Sequence, residues 1–307
     1  MIKKSKLRYL LLAFAVLLTI WVIASLAQKK KGERTFTKEL VSLRPDEVSE
    51  LILFPSANKS TQIRLIRTVE NAWDVESEGK RFPAETSSVQ SMLTTLQNLE
   101  ATNLVSRSEE KWNEFEVSDS LATRVQAFQS GKKIADLYIG KFRFSQPRQM
   151  ATYVRPADAK NTYATEGFLG MTFNRSANDF RSKTLIDAST DNWTQLLYTH
   201  PDHGSYTLQK QGNQWKIGDM DADSATVATY LNSLKNLRSY NLSDREEKGS
   251  PEYRLKIEGN NMPEAIQIEA FGTGSDILLQ SSLNKGALFR DSSVVAKIFV
   301  PKEHFIR

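Results

Sequence analysis

The chain has 307 residues, 40% of them apolar and 25% charged, enough for about two domains of ordinary globular composition and inconsistent with extensive disorder. It contains no cysteine, which excludes disulfides, thiolate metal sites and cysteine nucleophiles. Most of the basic excess sits at the amino end. Residues 1–34 hold eight basic residues and one acidic, leaving 33 basic and 35 acidic beyond them, so a folded basic face is lacking and no nucleic-acid partner is expected.

From Tyr9 to Gln28 the chain reads YLLLAFAVLLTIWVIASLAQ, twenty residues without a charge. At about 1.5 Å per residue this is a helix of about 30 Å, the thickness of a bilayer's hydrocarbon core. Ser25-Leu26-Ala27 has the small-residue character of a cleavage site, but the apolar run exceeds the roughly 7–15 residues of a signal-peptide core. The expectation is an uncleaved signal-anchor, with residues 1–28 as cytoplasmic tail and transmembrane helix. Lys3, Lys4, Lys6 and Arg8 on one side balance Lys29, Lys30, Lys31 and Arg34 on the other, so the positive-inside count is a tie. A short basic N-terminus inside is the commoner signal-anchor arrangement. It places a single-pass protein in the inner (cytoplasmic) membrane with its globular part extracytoplasmic. Residues 29–45 read as a polar stalk.

A first α+β unit is assigned to residues 46–190. Ser49–Phe54 is a strand pattern ending at Pro55, Gln62–Val69 alternates with period two, and Trp73-Asp74-Val75 opens a third strand. A helix follows, with Val89, Met92, Leu93, Leu96 and Leu99 forming one apolar stripe and Thr86 as its expected N-cap. Further strands are expected at Arg124–Phe128, Ala135–Ile139, Ala151–Arg155 and Thr162–Thr165, with a hairpin turn at Ser130-Gly131-Lys132. An extra helix is expected over Gly167–Phe173 and Asn178–Ser182, before a boundary near Asp187–Asn192.

The second unit, residues 191–307, repeats the order. Gln195–His200 ends at Pro201, Ser205–Lys210 and a Gly212-Asn213 turn lead to Trp215-Lys216-Ile217, and a second helix follows with Ser224 as its expected N-cap. Ser87–Ser106 aligns without a gap on Ala225–Asp244, and seven of the twenty positions are identical, among them Val89/Val227, Leu93/Leu231, Leu96/Leu234 and Leu99/Leu237. Strands are expected at Tyr253–Glu258, Ala265–Phe271, Ile277–Gln280 and Ala287–Arg290. Each unit is thus a mostly antiparallel sheet packed on one principal helix.

Little in the chain points to chemistry. His200-Pro201-Asp202-His203 could suit a metal, but its counterpart Phe54-Pro55-Ser56-Ala57 has no ligand, so the position reads as a strand-ending turn. Asp219, Asp221 and Asp223 resemble half a calcium loop, yet Ser224 and Tyr230 stand where glycine and glutamate are needed. An acidic approach to a helix N-terminus explains them. Ser-x-x-Lys occurs three times in predicted turns without a Lys-Thr-Gly partner, and no phosphate loop, dinucleotide fingerprint, GxSxG or HExxH is present. No catalytic residue, metal site or cofactor is assigned. Trp73 and Trp215 recur at one place and read as core anchors. Trp112, Phe115, Phe142 and Phe144 belong to the first unit alone and are the candidate surface for a partner protein.

The W…(A-D/E)…V…L..L..L pattern occurs together with WNEFEVSDSLATRVQAF (112–128), ADLYIGKF (135–142), TYVRPAD (152–158), YATEGFLGMTFN (163–174) and DFRSKTLI (179–186). Over roughly residues 46–190 this set resembles the bacterial family known as domain of unknown function 4340, with the second unit as a degenerate copy. The resemblance implies one N-terminal membrane helix and an envelope protein acting near gliding-type ABC transport components. It carries over no catalytic residues. The expected protein is therefore a non-enzymatic, membrane-anchored accessory or scaffold subunit of an ABC-type transport or gliding-related complex. The alternative is an anchored extracytoplasmic module that binds glycan or peptide in the groove between the repeats.

Overall fold

The computed structural model describes residues 16–19, 21, 38–58, 61–69, 71–145, 149–245 and 249–306. The apolar run from Tyr9 to Gln28 lies outside them except for Val16–Thr19 and Trp21, which are helical and exposed. Among the described residues no helix is long and apolar enough to cross a membrane.

The fold is α+β, with two nine-stranded antiparallel sheets and few helices. The first contains β1 (Glu50–Phe54), β2 (Ile63–Val69), β3 (Ala72–Ser77), β4 (Lys80–Pro83), β5 (Ala101–Ser106), β6 (Thr123–Gln129), β7 (Lys132–Ser145), β8 (Gln149–Pro156) and β9 (Thr162–Glu166). Its strands lie in the order β4-β3-β2-β1-β6-β7-β8-β9-β5. The second contains β10 (Trp193–His200), β11 (Gly204–Gln211), β12 (Gln214–Ile217), β13 (Met220–Asp221), β14 (Leu242–Ser243), β15 (Tyr253–Gly259), β16 (Ile266–Phe271), β17 (Leu278–Ser281) and β18 (Leu288–Arg290). Its order, β13-β12-β11-β10-β15-β16-β17-β18-β14, is the first order position for position. The repeat read in the sequence is therefore a repeat of topology.

The expected strands fall where alternation placed them, because Leu51, Leu53, Ile63 and Leu65 point to one buried face at 0–1% exposure. In each sheet the fourth strand lies at one edge and the fifth at the other, so their connection must cross a face. Helices α1 (Thr86–Gln97) and α4 (Ser224–Leu234) make those crossings. The α1 stripe of Val89, Met92, Leu93, Leu96 and Leu99 is at most 4% exposed. Its α4 equivalents, Val227, Leu231, Leu234 and Leu237, share one core with Leu196, Tyr198, Leu255 and Ile268 from the second sheet. Trp73 and Trp215 are both buried, as their recurrence suggested.

The expected cap of α4 is displaced by one residue. Ser224 is the first helical residue, and Asp223 is the N-cap, its Oδ1 accepting from Thr226 N at 2.9 Å. Thr86 likewise lies inside α1, and the carbonyl of Glu85 accepts from Ser88 N and Val89 N. The extra helix is also shorter than expected. It consists of α2 (Gly170–Phe173) and α3 (Ala177–Phe180), after which the chain is extended, because Arg181 and Thr184 form β-bridges to Ala84 and Arg238. A fifth helix, α5 (Ser292–Ile298), is capped by Asp291, whose Oδ1 accepts from Val294 N at 3.2 Å. Following it, Tyr230 and Tyr206 donate to the carbonyls of Ile298 (2.5 Å) and Val300 (2.6 Å), fixing the C-terminal segment to the core. At the other end, part of the expected stalk is folded: Ala101 N donates to Lys38 O and Leu40 N to Leu99 O, and Val41 and Leu43 are buried.

By contact density the chain forms two compact units. One comprises residues 1–49, 53–60 and 92–174; the other comprises 50–52, 61–91 and 175–307. In the first unit β6 and β7 are cross-linked by charge. Asp136 accepts from Arg124 Nε and Nη2 (both 2.8 Å), Lys133 Nζ (2.6 Å) and Gln126 Nε2 (2.9 Å). Burial alone would raise the Asp136 pKa, but these donors outweigh it and hold the carboxyl at about 2. A depressed carboxyl contributes stability above its unfolded pKa of about 3.9, and loses it as pH falls through the folded value. Acid titration should therefore remove on the order of 1–2 kcal/mol between about pH 4 and pH 2 after solvent screening. Denaturant unfolding of Asp136→Asn over that range checks this, and the variant should show a flatter pH slope than the wild type.

Candidate functional site

The structure separates the four sequence-selected aromatics into two groups within the first unit. Trp112 and Phe115 belong to the connection between β5 and β6, and they hold it down. Arg155 on β8 is only 2% exposed, with its guanidinium 3.7 Å from the Trp112 ring and 4.2 Å from that of Tyr138. Its Nε donates to the Val117 carbonyl (3.0 Å) and its Nη2 to Asp119 Oδ1 (3.1 Å). A buried cation is costly unless its donors and its charge are met; two ring faces, main-chain carbonyls and one carboxylate meet them here. Trp112 Nε1 donates to the Lys160 carbonyl at 3.0 Å, and the Phe115 ring lies 4.7 Å from Tyr153. Close approach is possible because β7 has Gly140, where a Cβ would stand 2.3 Å from the Phe115 carbonyl. That carbonyl accepts from Lys141 N at 3.1 Å.

Phe142 and Phe144 lie further along β7. The register with β6 ends at Thr123↔Ile139, so the remainder of β7 overhangs that neighbour and continues paired with β8. Phe144 is 58% exposed and opposite Met150, which is 50% exposed. The Phe142 ring lies 4.6 Å from Phe168, itself 46% exposed, and Met171 of α2 is 70% exposed. Sequence reasoning missed Met150, Phe168 and Met171. The three-residue spacing of Phe168 and Met171 within an expected helix was the signal that could have found the latter two.

A second feature is a cavity of about 800 Å³ in the second unit. It is lined by Glu85, Ser87 and Ser88 from the start of α1, by Arg175, Asn178, Asp179 and Lys183 around α3, and by Arg238, Tyr240, Asn241 and Leu242. A strap of extended chain joins these parts. Glu85 N donates to Phe180 O and Ser182 N to Pro83 O on one side, while Leu185 N donates to Leu237 O and Ser239 N to Lys183 O on the other. Lys183 Nζ donates to the carbonyls of Asn178, Asp179 and Arg181 at 2.6–3.0 Å, and burial pushes its pKa down. Asp179 accepts from Ser176 N and Oγ, and Glu85 accepts from Ser87 and Arg238. The pocket's carboxylates are thus engaged by neighbours.

The histidine pair forms a turn. The ring nitrogen Nδ1 of His200 accepts from Asp202 N (3.1 Å) and His203 N (3.2 Å). Among the described residues no group of three or more His, Cys, Asp and Glu is placed to hold a metal ion.

Residues 73–257 match the sequence profile of a family described as "Domain of unknown function (DUF4340)". The matched span starts in β3 and ends in β15, so it continues past residue 190 into the second sheet. No curated protein and no solved structure matches the chain.

Loss of the buried guanidinium should be felt as stability. Arg155→Lys retains the charge but cannot cover two rings and two acceptors at once, and is expected to cost about 2–3 kcal/mol. Denaturant unfolding followed by tryptophan fluorescence measures it, and a stability within about 0.5 kcal/mol of wild type would contradict the clamp.

Proposed function

The chain belongs to the DUF4340 family, and on that premise we propose that it is a non-enzymatic accessory or scaffold subunit of an ABC-type transport or gliding-related complex in the cell envelope. In this reading the run Tyr9–Gln28 is a single transmembrane helix in the inner membrane. The two sheets with their crossing helices are tandem homologous modules standing outside the cytoplasm.

The observation that carries the reading is the apolar overhang of Phe142, Phe144, Met150, Phe168 and Met171. Large apolar side chains grouped on a surface favour association with another protein, since covering them removes apolar area from water at roughly 25 cal/mol per Å². Phe142 packs on Phe168, whereas Phe144 and Met171 are more exposed than buried. The proposed occupant is a transporter subunit that presents an apolar face to the β7–β8 hairpin.

Affinity purification of the full chain in mild detergent, followed by mass spectrometry, tests this. Wild type should retain transporter subunits, and Phe144→Ser combined with Met171→Ser should lose at least tenfold of them while the thermal midpoint stays within a few degrees. Equal recovery by the wild type and the double variant would remove the patch from the interface.

A further inference from the structure

We propose that the polar cavity beside the first turn of α1 is a binding site for a ligand carrying a phosphate monoester. The inference goes beyond the partner reading and does not rest on it, because a different unit of the chain supplies every residue involved. A guanidinium has five N–H donors. Among the described residues Arg175 uses one of them, Nη2 to the Asp179 carbonyl at 3.3 Å, with its guanidinium 5.0 Å from the Phe180 ring, and Arg238 uses one toward Glu85. Both side chains line the cavity, so each brings several further donors to it.

Of the two carboxylates in the lining, Glu85 accepts from Ser87 and Arg238, and Asp179 accepts from Ser176 through Oδ2, so each is partly engaged. The three cations of the lining, Arg175, Lys183 and Arg238, outnumber these two acids, and the guanidinium N–H groups favour an incoming anion. Ser88 also lines the cavity, at the third position of α1, where the helix N-terminus adds a partial positive charge. Tyr240 is the one aromatic in the lining and is 73% exposed, which suits an ionic group better than a stacked sugar ring. Two guanidinium groups and a helix start form a donor set for an oxyanion with several acceptors, and a phosphate monoester brings three such oxygens and about two charges.

The phosphate group could come from a soluble ester or from a lipid headgroup, and one titration series separates them. The full chain in neutral detergent is titrated calorimetrically with inorganic phosphate, with glycerol 3-phosphate, and with short-chain phosphatidate below its micelle concentration. Saturable one-to-one binding is expected. Tighter binding of glycerol 3-phosphate would identify a soluble ligand, and tighter binding of phosphatidate a headgroup. Arg175→Gln should weaken binding at least tenfold. Ser88→Asp should abolish it, yet keep or raise the thermal midpoint, because an acid in the first turn of a helix stabilises that helix. A folded Ser88→Asp variant that binds as well as wild type overturns the proposal, as does the absence of saturable binding by all three probes. Neither result bears on which proteins co-purify with the chain.

Discussion

A sheet whose fourth strand closes one edge and whose fifth closes the other imposes a crossing on the chain. Helices α1 and α4 make that crossing over a face of their sheets, so the side of each that meets the sheet must be apolar. That is why Val89, Leu93, Leu96 and Leu99 recur in the second copy as Val227, Leu231, Leu234 and Leu237, with Tyr230 in place of Met92, while most residues between them have changed. The conserved spacing follows from the edge-to-edge connection and needs no binding role.

This constraint also explains what could be read in the sequence. Long alternating strands and the two stripes carry strong periodic signals, and both were legible, as were the two tryptophans that seal the same corner in each copy. The strands that were missed are short or polar. β13 and β14 have two residues each, and β5, ATNLVS, shows only Ala101 buried. Their identity is fixed by partners distant in sequence, Leu242 by Phe289 for example, and not by their own pattern. The cap of α4 shifted for a local reason: aspartate and serine stand side by side, and only geometry decides that Asp223 reaches the free N–H. The copy-specific aromatics were legible as residues but not as groups. Their division depends on Gly140 allowing the Phe115 carbonyl to dock, a contact between positions 25 residues apart. The polar pocket was not legible, since it draws on three stretches near residues 85, 179 and 240 that each read as a polar turn.

The arginines show how the same side chain takes different roles under different burial. Arg155 has almost no exposure, and its environment is closed around it by rings, carbonyls and Asp119. Such a group holds structure, because moving any partner leaves a buried charge unmet. Arg181 is similarly buried, stacked 3.7 Å from Phe82 and bonded to Asn178, while its buried Nε meets no acceptor among the described residues, and its desolvation lowers its pKa. Arg175 and Arg238 differ. Neither is buried, and both border an open cavity, so the donors left over from Asp179 and Glu85 are met by water or by a ligand. The contrast is one of burial: Arg155 and Arg181 are enclosed by the fold, whereas Arg175 and Arg238 border a cavity.

Duplication supplies an internal control for the apolar patch as well. The two sheets share one strand order, so whatever the fold requires should be present twice. β7 has fourteen residues where its counterpart β16 has six, and the connection before β6 has sixteen where that before β15 has nine. Both excesses fall in the first copy, and they are the two features that bring in Trp112, Phe115, Phe142 and Phe144. One excess, the connection, is consumed internally: it is clamped on Arg155 and at Gly140. The other ends in exposed phenylalanine and methionine, with no counterpart in the second copy and no neighbour that requires it. The second sheet reaches the same topology without such an extension, so folding alone gives no reason to keep it. An exposed apolar cluster carries an aggregation cost, and the partner proposed above would offset it by covering the cluster.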